Sequence, residues 1–118
     1  EEIQIDNYFI FTKNERMPIY GFVGALDFEN IYTGNPYFKV NVMTLSEGMK
    51  NHSYSIHSYD EFGIVAKGSL GIEFDNKESY TLEEGECILI KSNTKHAVTN
   101  CSNEECISYW IQITNCEK

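Results

Sequence analysis

Two histidines and one glutamate are the residues of this chain whose types and spacing could hold a metal ion. His57 and Glu61 stand four positions apart near a strand turn, and His96 opens a later strand pattern. Imidazole nitrogen with carboxylate oxygen suits a divalent first-row metal, and two histidines with one carboxylate are the facial set of non-haem iron centres. Three protein ligands leave the remaining positions to water or a bound molecule. An acidic chain often sets a histidine near a glutamate on its solvated surface, so the assignment depends on the elements that carry the three.

Those elements read as strands. Phe38, Val40 and Val42 alternate with Lys39 and Asn41, and Leu70, Ile72 and Phe74 alternate with Gly71, Glu73 and Asp75. Such period-two patterns bury one face, here expected to be the apolar one. Residues 75–79, 83–86, 92–95 and 102–105 are polar reversals between short strands. Cys87-Ile88-Leu89-Ile90 is apolar on both faces, as a central strand between two sheets would be. The last strand sets Ile107, Tyr109, Ile111 and Ile113 against Ser108, Trp110 and Gln112.

Counting by twos, Glu61, Gly63, Val65 and Lys67 share a face, so two strands can turn polar groups toward one cavity. A polar cavity edged by an aromatic suits a small hydroxylated or carboxylated ligand. Trp110 could equally be a core aromatic with its indole N–H on a backbone acceptor. Near the N-terminus, Ile3, Ile5, Phe9 and Phe11 read as a strand or as an arm laid over the barrel. No segment past residue 35 sustains a capped 3.6-residue period, which points to an antiparallel sandwich or barrel.

At 118 residues the chain has material for one core, and residues 1–118 read as a single domain. The net charge of −9, with Arg16 the one arginine and lysines scattered singly, provides no basic stripe for a phosphate backbone. It also disfavours an anionic membrane surface, and no apolar run approaches the roughly 20 residues that span a bilayer. Cys87, Cys101, Cys106 and Cys116 show no metal-site spacing, so reduced thiols and a cytoplasmic location are expected, ahead of a Cys101–Cys106 bridge. No Gly-x-Ser-x-Gly elbow or phosphate-cradling glycine loop is present, which sets hydrolase and nucleotide-binding classes aside. The absence of an initiator Met and the end on Cys116-Glu117-Lys118 directly after a strand pattern lead us to expect a piece of a longer chain.

The spacing of Gly48, His57, Glu61 and Gly68, then Gly85, His96 and Asn100, resembles the two motifs of the cupins. The resemblance implies an all-β, cupin-type double-stranded β-helix, or jelly-roll barrel, with His57, Glu61 and His96 at metal-ligand positions. Ser55 stands where the family has its first histidine, and Lys91 and Asn93 stand where it has proline and glycine. A hydroxyl is a poor ligand for zinc or iron, and His52 could substitute only with a slip of register.

A narrower resemblance covers Phe62 to Ile113, where GIVAKGSLGIEFDNKESYTLEEGECILIKSNTKHAVTN is followed by ISYWIQI. This stretch looks like the effector-sensing domain of AraC-family transcription regulators. The resemblance implies a small-molecule effector such as a sugar or other polar metabolite, a homodimer, and DNA contact only through a helix-turn-helix domain absent from this sequence. It implies a ligand site of His57, Glu61, Lys67, His96 and Trp110, with His96 and Trp110 at sugar-pocket positions of the founding member and Lys67 where that protein has an arginine. No catalysis and no resident cofactor are expected on this reading, and a divalent metal, if bound, sits on His57, Glu61 and His96. A stand-alone metal-dependent cupin of isomerase or dioxygenase type is the alternative, and a dimerisation barrel with a vestigial pocket is the third.

Overall fold

The computed structural model describes residues 8–13, 17–22, 26–49 and 54–114, and within them the alternations become nine strands in two sheets. They are β1 (Met17–Phe22), β2 (Leu26–Tyr32), β3 (Phe38–Leu45), β4 (Asp60–Lys67), β5 (Leu70–Phe74), β6 (Ser79–Leu82), β7 (Cys87–Ile90), β8 (His96–Asn100) and β9 (Cys106–Ile113). One sheet has the order β1-β2-β3-β9-β4-β7 and the other β6-β5-β8, with every pairing antiparallel. This is the expected all-β jelly roll.

Cross-strand register sorts the inner face of the large sheet into rows, because directly opposite residues project to the same side. Phe28, Met43, Ser108 and Val65 form one row, and Asn30, Asn41, Trp110, Gly63 and Ile88 the next. Lys39, Gln112, Glu61 and Ile90 form the row beyond. The interior is thus graded. Leu45, Val65, Leu70, Ile72, Val98 and Cys106 pack between the sheets as a buried core, while the Lys39–Glu61 end is polar.

The cavity-facing side of β3 is therefore Lys39, Asn41, Met43 and Leu45, while on its other face Phe38 and Val40 are half-buried and Val42 is buried, as its alternation predicted. Period-two alternation establishes that a strand has two faces. Which one turns inward depends on partners far along the chain. The apolar run Cys87–Ile90 likewise proves to be the edge strand β7, with Cys87 and Leu89 exposed and Ile90 buried.

A second departure has a local cause. The β4–β9 register shifts between Val65 and Lys67, so that Val65 faces Ser108 but Lys67 faces Ile107. The bulge inserts Ala66 as an extra residue and reverses the alternation beyond it. Lys67 is thereby turned to the exposed outer face. That face carries the row Tyr32, Val40, Ile111, Phe62 and Leu89. Phe9 and Phe11 lie over one end of it as an arm, 6.4 and 5.5 Å from the Tyr32 ring. Ile3 and Ile5, named with them in the sequence, lie outside the described residues, as do Arg16, His52 and Cys116.

The turns fall where the polar reversals stand. Asn93 adopts a φ of 65°, the left-handed conformation that asparagine tolerates better than most side chains, so it serves where the family motif has glycine. Asn100 closes the far end. Its amide donates to the carbonyls of Leu45, Ser46 and Glu104 at 3.1, 2.9 and 2.7 Å, and its oxygen accepts from the Ser102 backbone N–H and hydroxyl at 2.8 and 2.6 Å. Asn100→Ala would orphan these buried groups, and a loss of about 2–4 kcal/mol in urea denaturation is the expected result. An unchanged midpoint would show that water satisfies them equally well.

Cys87, Cys101 and Cys106 carry free thiols. Burial, then the neighbouring Cys101 and Glu104, push the Cys106 thiol up to about 11, so it stays protonated and packs as an apolar side chain. Among the described residues no helix is long and apolar enough to cross a membrane.

Candidate metal centre and ligand cavity

Glu61 lies on the inner face of β4, opposite Gln112 on one side and Ile90 on the other. His96 begins β8 in the facing sheet, and His57 sits in the segment that leads into β4. Two contacts fasten that segment: Ser55 and His96 exchange backbone hydrogen bonds of 2.7 and 3.0 Å, and the Asn93 N–H donates to the His57 carbonyl at 2.6 Å. Sheet pairing therefore delivers three residues from distant parts of the chain to one point.

At that point Glu61 Oε1 lies 3.7 Å from His57 Nε2 and 3.5 Å from His96 Nε2. One donor atom from each residue falls within a common span of 4.8 Å. Glu61 and His96 are both 6% exposed, which places a carboxylate in a site where a cation would offset its desolvation. His96 Nδ1 lies 2.9 Å from the Thr94 carbonyl. A carbonyl only accepts, so Nδ1 carries the proton and donates, leaving the Nε2 lone pair for the shared centre. This outer hydrogen bond is the arrangement that fixes the tautomer of metal-ligating histidines. The His57 ring is held by Tyr59, stacked at 4.9 Å and 13°. The donor set thus fits a divalent first-row ion.

Without a metal the same contacts act on a proton. Burial pulls the His96 pKa down, but the Glu61 hydrogen bond, the Thr94 carbonyl and the Glu61 charge together outweigh it, and the net position is above 6.5. A raised folded-state pKa stabilises the fold fully below the unfolded value, and that contribution disappears as pH rises through the folded value. The metal-free protein is therefore expected to lose stability as pH rises from below 6.5 through the His96 titration. His96→Gln should flatten that step in thermal melts taken across the range, and an unaltered profile would place its origin elsewhere.

The three candidate donors border a cavity of about 390 Å³. Its wall includes Trp110, Gln112, Met43 and Phe28 from the large sheet and Ala97 and Val98 from β8, with Ser55, Tyr59, Asn30 and Lys39 around it. The Trp110 indole N–H donates to Ser108 Oγ at 2.8 Å, so its ring rather than its N–H is available to a ligand. Gly63 lies beneath that ring: a Cβ there would sit 2.5–2.7 Å from the indole carbons.

Of the residues singled out in the sequence, His57, Glu61, His96 and Trp110 come together here, and Lys67 does not, because of the bulge. Lys39, Asn30 and Tyr59 were not among them. The signal for Lys39 was its alternation with Asn41 and Met43, which is visible only once that face is known to point inward.

A family model described as the cupin domain matches residues 41–112. Among solved structures, iron(II) HppE is similar with a TM-score of 0.78 at 15% identity, covering 92% of this chain and 62% of that one. KdgF from Halomonas sp. has a TM-score of 0.73 at 14% identity, covering 93% and 97%. An HTH_3 family transcriptional regulator from Vibrio cholerae has a TM-score of 0.65 at 17% identity, covering 76% and 51%. The chain thus spans about three fifths of HppE and half of the regulator, and at these identities the likeness is one of fold. No curated protein matches the chain in sequence.

Proposed function

Since the chain belongs to the cupin domain family, we propose that its barrel binds a small polar molecule beside a divalent metal held by His57, Glu61 and His96, and that this molecule is an effector. The observation that carries the reading is the convergence of the three donors on one point at the wall of a ligand-sized cavity. A bound ion would act as a Lewis acid toward an oxygen of the ligand. The protein's own groups do the rest: Trp110 offers a ring face, Ser55 leaves a coordination position to the ligand, and Met43 and Val98 exclude water.

The effector role is supported by the resemblance of Phe62–Ile113 to AraC-family sensor domains and by the presence of the same fold in a helix-turn-helix regulator. On this reading two copies pair, the domain works in the cytoplasm, and DNA is contacted by another domain. Isothermal titration of the metal-free protein with zinc, nickel or manganese should show one equivalent bound, and the absence of any such equivalent would overturn the metal centre. Sedimentation equilibrium tests the pairing.

Catalysis is the second reading, favoured by the His57–Glu61–His96 set itself. Nuclear magnetic resonance of a bound metabolite in the presence of the metal-loaded protein separates the two. An effector returns unchanged, and a substrate does not.

A further inference from the structure

We propose that the cavity selects a small hydroxylated carboxylate, and that Lys39 is the residue that binds its carboxylate group. This rests on the reading of the cavity as a ligand site and names the ligand's class. Among the described residues that line the cavity, Lys39 is the one lysine or arginine. It shares the inner row with Gln112 and Glu61, two strand spacings from the latter, which is roughly 10 Å between backbones. A molecule held at the metal centre by one oxygen and at Lys39 by its other end would span that gap.

Charge supports the assignment. The chain as a whole is at −9, a field that repels anions. Among the described residues that line the cavity there is one carboxylate, Glu61, which faces both histidines. Among the described residues no carboxylate is ion-paired with Lys39, in contrast to Lys91, whose ammonium reaches Asp60 at 4.0 Å. A lysine with no ion pair among the described residues, in a strongly acidic protein and on a cavity wall, is placed to meet an anion from outside.

The neighbouring groups narrow the class. Asn41, next on the same face of β3, is fully buried, and both its amide atoms lack a partner among the described residues. Buried polar atoms are rarely left so. Asn41 is not itself on the cavity wall; the amides that line the cavity are those of Asn30, opposite Asn41 on β2, and of Gln112, and these match hydroxyls. One ammonium with amides suits a monoanionic carboxylate better than a dianionic phosphate, which draws several charged or backbone donors. The volume of about 390 Å³ lies at the small end of ligand pockets, which run from roughly 300 to 1,000 Å³, and fits a sugar acid rather than a nucleotide.

The test is calorimetric, on the full chain loaded with zinc, using pairs that differ in one group: glucuronate against glucose, galacturonate against galactose, and lactate against 1,2-propanediol. In at least one pair the acid should bind about tenfold or more tighter than its neutral partner. Lys39→Met should erase that preference and Lys39→Arg should keep it; Lys39 is exposed, so both variants should fold. Equal binding, a preference for the neutral member, or an acid preference that survives Lys39→Met overturns the proposal while the ligand-site reading stands. No binding by either member of any pair overturns both.

Discussion

Glu61→Gln is expected to weaken divalent-metal binding on the order of a hundredfold or more, read by titration of the metal-free protein. Glutamine keeps the size of the side chain but removes the charge that balances a cation between His57 and His96. It also removes the negative charge beside His96 that helps raise its pKa, and leaves the imidazoles with a neutral amide, a much weaker third ligand. If Glu61 were only a structural partner of the two histidines, the variant would bind metal as the native protein does. The converse change is equally telling. Ser55 lines the cavity and pairs across from His96, so Ser55→His should supply a fourth ligand and tighten binding about tenfold or more. Failure of both variants to alter affinity would remove the metal centre from the account.

Gly63→Ala is expected to destabilise the fold by about 2–3 kcal/mol, because the added methyl overlaps the buried ring of Trp110. The Trp110–Ser108 hydrogen bond tethers the indole N–H, and the ring lines the cavity, so it is expected to yield by moving into that space. Loss of stability should therefore be accompanied by loss of ligand affinity. A double variant with Trp110→Phe should recover part of the stability, a non-additivity expected only of residues in contact. Native stability and affinity in Gly63→Ala would show that the sheet absorbs the methyl without moving the ring.

Much of the fold and of this candidate site is legible in the sequence. The short strands and their polar turns follow from local alternation and from residues that mark turns, signals carried within a few positions of one another, whereas the His57–Glu61–His96 set is singled out through the resemblance of its spacing to the cupin motifs. Asn93 is an instructive case. Its departure from the glycine motif reads as a loss in sequence, yet asparagine takes the left-handed backbone that the turn requires.

What sequence could not show depends on pairing at long range. Lys67 shares the parity of Glu61, and only the extra residue Ala66, recognisable from the β4–β9 register, puts it on the other face. Lys39 fails in the opposite direction. Beside Phe38 and Val40 it reads as the solvent side of its strand, whereas the large sheet turns that side toward the cavity and leaves the apolar neighbours to the arm of Phe9 and Phe11. Hydrophobic alternation assumes an apolar interior, and this interior is polar at one end.

Trp110 is the only tryptophan of the chain, and it lies 4% exposed in the cavity wall. Its indole emission therefore comes from one place, unmixed with signal from elsewhere in the molecule. A paramagnetic ion on the nearby histidines would quench that emission, and a molecule laid against the ring would shift its colour, so the unlabelled protein carries its own optical gauge of whether the barrel is filled.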